Sequence, residues 1–182
     1  MGAIVLPLLL ALLLLYVLVY FARAAGQALA RSREVTRFQF EAKTLLAQVD
    51  PILEGLATRT DSARRQLIPP DEILPDLENG TTALEAARAT ADQIKAPQHG
   101  RVLLAAMGDD VDRAIRAVAM IQHGCQQAVS GYGRGAELEA QTAVKRGYLN
   151  LLHARESLST HVAEAVRMEP VTPQRAPRRA RM

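Results

Sequence analysis

The first 22 residues, "MGAIVLPLLLALLLLYVLVYFA", contain no charged side chain. As an α-helix, the stretch from Ala3 to Ala22 is about 30 Å long, the thickness of a bilayer's hydrocarbon core. Nothing later in the chain approaches this hydrophobicity, so a single membrane crossing is expected, with the body tethered to one face. Tyr16, Tyr20 and Phe21 crowd the C-terminal end of the stretch, where an interfacial aromatic belt belongs. Pro7 falls in the first turns, where a missing N–H matters least. A cleaved signal peptide, with "ALA" at 28–30 as its cleavage site, is the rival reading. It fits less well, because no Lys or Arg precedes the apolar run and the run exceeds a typical signal core.

Charge sets the expected orientation. Only the α-amino group precedes the span, whereas Arg23, Arg31, Arg33 and Arg37 follow it. The positive-inside rule keeps that arginine side in the cytoplasm and the short N-terminus outside. Residues 34–169 carry 15 basic and 19 acidic side chains, a net of −4, while the tail from Pro170 adds Arg175, Arg178, Arg179 and Arg181 and no acid. The cations therefore sit at the two ends of a mildly acidic body. A nucleic-acid binder would instead carry its basic stripe on the folded body, so no nucleic-acid partner is expected.

The body reads as helical. Aromatics make up 4% of the chain and there is no Trp, which disfavours a β-sandwich or barrel. A first apolar series runs Phe38, Ala42, Leu45, Val49, Ile52, Leu56, Arg59, Ala63. Asp50-Pro51 predicts a kink or local break within it, and Pro69-Pro70 an end by Ile68. Arg59, its one polar member, reads as a bundle-end residue reaching water or as a contact to a partner. A second series, Ile73, Leu77, Gly80, Leu84, Ala87, Ala91, Ile94, is interrupted by Pro75 and Asn79-Gly80. Thr82 and Glu85 form a capping-box pattern, which predicts the secure helix at about 82–96. The third series is Leu104, Met107, Val111, Ala114, Val118, Ile121, Cys125, Ala128, an unbroken heptad-like seam. Asp109–Arg113 and Asp112–Arg116 are expected to pair on its outer face, and Gly131 to stand just past its end. The fourth series, Val144, Tyr148, Leu151, Ala154, Leu158, Val162, Ala165, follows the loop "SGYGRGA".

These features define an all-α chain: a transmembrane anchor (1–23), a basic juxtamembrane segment (24–34), an antiparallel four-helix bundle (35–169) and a basic, Pro-rich disordered tail (170–182). An elongated dimeric coiled coil using the same seams is the alternative architecture. An even number of antiparallel helices returns the chain to the end it started from. The tail arginines are then expected beside the same lipid surface as Arg23–Arg37, where each cation gains on the order of 1 kcal/mol from anionic lipid.

The search for chemistry is negative. Ferritin-like iron sites need Glu three residues before His. The residues three before His99, His123, His153 and His161 are Ala96, Met120, Asn150 and Leu158. "GYGRG" at 131–135 lacks the Lys-Ser/Thr of a phosphate loop and reads as a turn. Asp109, Asp110 and Asp112 continue as helix, unlike a calcium loop. Cys125 occupies a seam position and reads as a small buried hydrophobe, and His123, two residues away, points to another face. No cofactor, metal or small-molecule substrate is expected. The first reading is a non-enzymatic, single-pass scaffold or adaptor at the cytoplasmic face of a bacterial inner membrane, contacting lipid and protein partners or its own copies. The alternatives are an extracytoplasmic sensory or ligand-binding bundle, and a metal-binding or enzymatic bundle using His123, His153 or His161.

Overall fold

The computed structural model describes residues 2–131 and 134–169. It contains four α-helices, α1 (Gly2–Arg64), α2 (Leu74–Gln93), α3 (Arg101–Ser130) and α4 (Arg134–Arg167), and no strand among the described residues. Short 3-10 turns, Pro70–Ile73 and Gln98–Gly100, enter α2 and α3. The chain divides into two compact units. Among the described residues, one holds residues 2–37 and Glu169, and the other, Phe38–Met168, is the bundle.

Within the bundle, neighbouring helices run antiparallel, as the contacts between them show. Leu56 meets Gly80 and Arg59 meets Asp76 between α1 and α2. Arg88 reaches Asp112 between α2 and α3, and Asp110 meets His161 between α3 and α4. Arg155 clasps Asp50 at 2.6 Å between α4 and α1. Gln39 Nε2 donates to the carbonyls of Val166 at 3.0 Å and Met168 at 2.8 Å, so the fourth helix finishes beside the first turn of the bundle. The core is aliphatic and closely shared, with Phe38, Leu45, Leu53, Leu77, Leu84, Met107, Ile121, Leu151 and Leu158 all nearly inaccessible. Each such side chain contributes about 1.5–3 kcal/mol of burial.

Several local expectations are corrected. α1 runs through Pro51 without a break. Pro51 and Ala47, whose carbonyl the proline leaves unpaired, are both exposed. Water can serve that carbonyl while Val49 and Leu53 hold the helix from the core side. Beyond Val49 the buried positions are Leu53, Leu56, Ala57 and Thr60, with Ile52 only half-buried. A strict 3.5-residue pattern drifts about 20° per heptad on a straight helix, so the true seam steps one residue along. α1 ends at Arg64 in a Schellman turn: Gln66 N–H donates to Ala63 and Leu67 N–H to Ser62. Gln66 takes the left-handed φ of 60° that glycine usually supplies there.

α2 begins at Leu74, eight residues before the capping-box pattern. Pro75 stands in the first turn, where proline is preorganised for a helix. Thr82 is mid-helix, its hydroxyl donating to the Glu78 carbonyl, and the helix stops at Gln93. Gly80 stays helical because Leu56 fills its place: a Cβ there would lie 2.6 Å from Leu56 Cδ1.

In α3 the seam residues Met107, Val111, Ala114, Val118, Ile121 and Cys125 are buried, Leu104 is half-buried, and Ala128 is exposed. The expected outer pairs are replaced. Arg113 turns to Asp110 at 3.4 Å, and Asp112 is taken by Arg88 at 3.0 Å. Gly131 caps α3 in an extended conformation, φ −80°, with its N–H on Gln127 O at 2.7 Å. α4 begins at Arg134, inside the stretch read as loop. The α3–α4 contact brings backbone close to backbone. A Cβ on Gly124 would fall 2.9 Å from Ala140 O, and one on Gly147 would fall 2.9 Å from Ala117 O and 2.6 Å from Ile121 Cγ1.

Candidate functional site

Three places on the molecule could carry function: the apolar start of α1, a buried polar pair in mid-bundle, and a cavity at one bundle end.

α1 is long and apolar enough to cross a membrane, with a mean hydropathy of 1.6 in its apolar window and none of that window buried. Every side chain from Leu13 to Phe21 is an exposed large hydrophobe. In water such a continuous surface is unfavourable by about 25 cal/mol per Å², and a bilayer relieves it. Arg23, Arg31, Arg33 and Arg37 follow on the same helix and are exposed. Arg175, Arg178, Arg179 and Arg181 lie outside the described residues.

The buried pair is Asp110 and His161. Asp110 is 2% exposed. His161 Nδ1 donates to its Oδ2 at 2.6 Å, and Arg113 stands 3.4 Å from its Oδ1. A buried carboxylate needs such partners, since an unpaired one is strongly destabilising. The arrangement orients an imidazole, but no thiol is near enough to use it. Cys125 lies 15 residues further along α3, about 22 Å away. His123 and His153 are exposed and far from this pair. Among the described residues no group of three or more His, Cys, Asp or Glu side chains is placed to hold a metal. Asp110 thus ties α3 to α4, a role its place in an acidic stretch does not disclose.

The interhelix ion pairs do similar structural work. Arg59 is partly exposed and engaged within the bundle: its Nε donates to Asp76 at 2.8 Å, with Glu72 at 3.4 Å. Asp76 holds the Arg59 guanidinium protonated above its ordinary range. Arg88 bridges Asp92 on its own helix and Asp112 on α3, and its guanidinium lies over Gly108. Arg155 spans Asp50 and Glu54, and its hydrogen bond holds the Asp50 carboxyl below the usual carboxylate range.

A half-open cavity of about 990 Å³ lies at the bundle end opposite Gln39. The α1–α2 connection forms one side, the end of α3 and the start of α4 the other. Cys125 lies in its wall, 1% exposed, and burial pushes its thiol up to about 11. Ala128 also lines the cavity, which explains its exposure at the end of an otherwise buried seam. The sequence contains no signal for this cavity beyond the double proline that ends α1, because its walls come from three separate segments.

No family model, curated protein or solved structure matches the chain.

Proposed function

We propose that this protein is a non-enzymatic, single-pass membrane scaffold or adaptor whose helical bundle lies at the cytoplasmic face of a bacterial membrane. The observation that carries this reading is the run of nine exposed apolar side chains, Leu13–Phe21, followed at once by exposed arginines. That order favours a crossing helix with its C-terminal side held in the cytoplasm. Several charged groups, Asp50, Arg59, Asp76, Arg88, Asp112 and Arg155 among them, are engaged in clamps between helices, and the core is mostly aliphatic, which suits a binding platform better than a reaction centre. Exposed Phe40, Val102 and Leu149 offer apolar contact points on helix faces. Met168 closes beside Gln39, so α4 ends beside the first turn of the bundle. The proposed role of Arg175, Arg178, Arg179 and Arg181 is to contact anionic lipid together with Arg23–Arg37.

A reporter fused to the C-terminus, with protease shaving of intact cells, tests the topology. A cytoplasmic reporter protected from protease is expected, and a surface-accessible body would eliminate the reading. Cross-linking in native membranes then tests the platform role, with specific protein partners or self-association as the expected capture.

A further inference from the structure

At the bundle end opposite Gln39, an aliphatic wall, an unmatched cation and a buried thiol converge on one cavity. The apolar part of the wall comes from Ala63 and Ile68 on one side, Ala128 on α3, and Ala140 and Val144 on α4, and Gln66, Gln127 and Gln141 add polar side chains to it. Cys125 lies among them, and its thiol makes no hydrogen bond among the described residues. Three charged side chains line the space. Arg64 is engaged by Asp61 at 2.7 Å and lies over the Tyr148 ring, 5.3 Å from its centre. Glu137 accepts a hydrogen bond from Gln141. Lys145 is exposed and makes no ion pair among the described residues. Glu137 does not neutralise it, because eight residues of helix separate them by about 12 Å, beyond the screening length at physiological salt. Gln66, also lining the cavity, holds its left-handed φ at a penalty of about 1–2 kcal/mol. Strain of that kind concentrates in ligand-binding loops.

We infer that this cavity binds an anionic single-chain amphiphile, with the carboxylate on Lys145 and the hydrocarbon chain along Ala140, Val144 and Ile68 toward Cys125. The volume lies in the range of small-molecule sites, roughly 300–1,000 Å³. A cationic amphiphile meets repulsion from Lys145. The site is independent of the scaffold reading, and it departs from the sequence-based expectation of no small-molecule ligand.

Cys125 is the only cysteine in the chain, so alkylation of the full-length protein in lipid nanodiscs by N-ethylmaleimide reports on this cavity alone. The reaction is run near neutral pH, where maleimide spares lysine amines, and is slow because the thiol resists ionisation. Decanoate is expected to slow alkylation, and decyltrimethylammonium to leave it unchanged. Lys145→Glu, at an exposed position that spares the fold, is expected to weaken decanoate protection about tenfold or more, the worth of one charge-assisted hydrogen bond. Absence of protection by decanoate, equal protection by the cationic amphiphile, or undiminished protection in Lys145→Glu overturns the assignment. If Cys125 resists alkylation altogether, the methyl resonances of Ile68 and Val144 decide on titration with decanoate. Movement of both that is lost in Lys145→Glu upholds the site, and unmoved resonances overturn it.

Discussion

Gly80 and Gly147 each sit inside a helix and each face a neighbouring helix, but they accommodate different things. At Gly80 the visitor is a side chain, with Leu56 occupying the space a Cβ would take. At Gly147 the visitor is a side chain together with the backbone behind it: Ile121 Cγ1 lies 2.6 Å from where a Cβ would be, and the Ala117 carbonyl and Ile121 amide nitrogen lie 2.9 and 3.0 Å away. Gly124 repeats the second arrangement one crossing away, against Ala140 O and the Val144 amide nitrogen. The α1–α2 contact is therefore a knob in a notch, clamped beside it by Arg59 and Asp76. The α3–α4 contact is two smooth surfaces pressed together, with Asp110–His161 as its buried polar tie. A flexible leucine end can shift, whereas a helix backbone carries its whole element with it. The two contacts should differ in tolerance more than in buried area.

The largest expected effect follows from that contrast. Gly147→Val should destabilise the bundle by about 3 kcal/mol or more, because overpacking against rigid backbone has no local relief. A thermal melt followed by circular dichroism measures it, and a midpoint unchanged from wild type would remove the distinction. Gly80→Ala should be milder, about 1 kcal/mol, since the added helix propensity offsets part of the clash. Combined with Leu56→Ala it should show a favourable coupling of at least about 0.5 kcal/mol in a double-mutant cycle. Additive losses would mean that the leucine is not what fills the notch.

Thr60 sharpens the α1 side of the comparison. It is fully buried, and its hydroxyl oxygen has no hydrogen-bond partner. Thr60→Val should raise stability by about 1 kcal/mol by removing an unsatisfied polar group at nearly constant shape. Urea denaturation reads this directly, and a loss of stability would imply a partner for the hydroxyl. The smallest effect concerns Arg155 and Asp50, which are partly exposed. The Asp50 carboxyl is held below its ordinary value of 3.8, so the folded state takes up this proton later than the unfolded chain. The contribution is present above about pH 3.8 and is lost as the pH falls through the lowered value. Solvent screening keeps it under about 1 kcal/mol. Arg155→Leu should therefore flatten the acid limb of a stability–pH curve while changing the neutral value little.

Much of the architecture is legible along the chain. The uncharged opening, the heptad spacing of Met107 to Cys125 and that of Leu151 to Ala165 each follow from local periodicity, and the all-α class with four helices follows with them. The misreadings come where local signals are ambiguous. Pro75 and Asn79-Gly80 resemble a break, but proline is harmless in a first turn and Gly80 is occupied by a leucine 24 residues earlier in the chain. Thr82 and Glu85 spell a helix start in the middle of a helix. The step from Ile52 to Leu53 depends on the helical period, which a spacing rule of alternating threes and fours approximates imperfectly.

What residue order alone determined is whatever repeats within a few turns: the membrane-length apolar helix, its arginine flank, and the apolar stripe that each later helix must bury. These depend on neighbours 3 or 4 positions apart, which helical geometry brings together wherever the helix ends up. Only the tertiary structure decided that Arg59 belongs to Asp76, that Asp110 and His161 close on each other across 51 residues, and that Cys125 and Lys145 share one cavity. Those pairings depend on how two helices rotate and slide against each other, and that is set by the summed packing of the whole bundle.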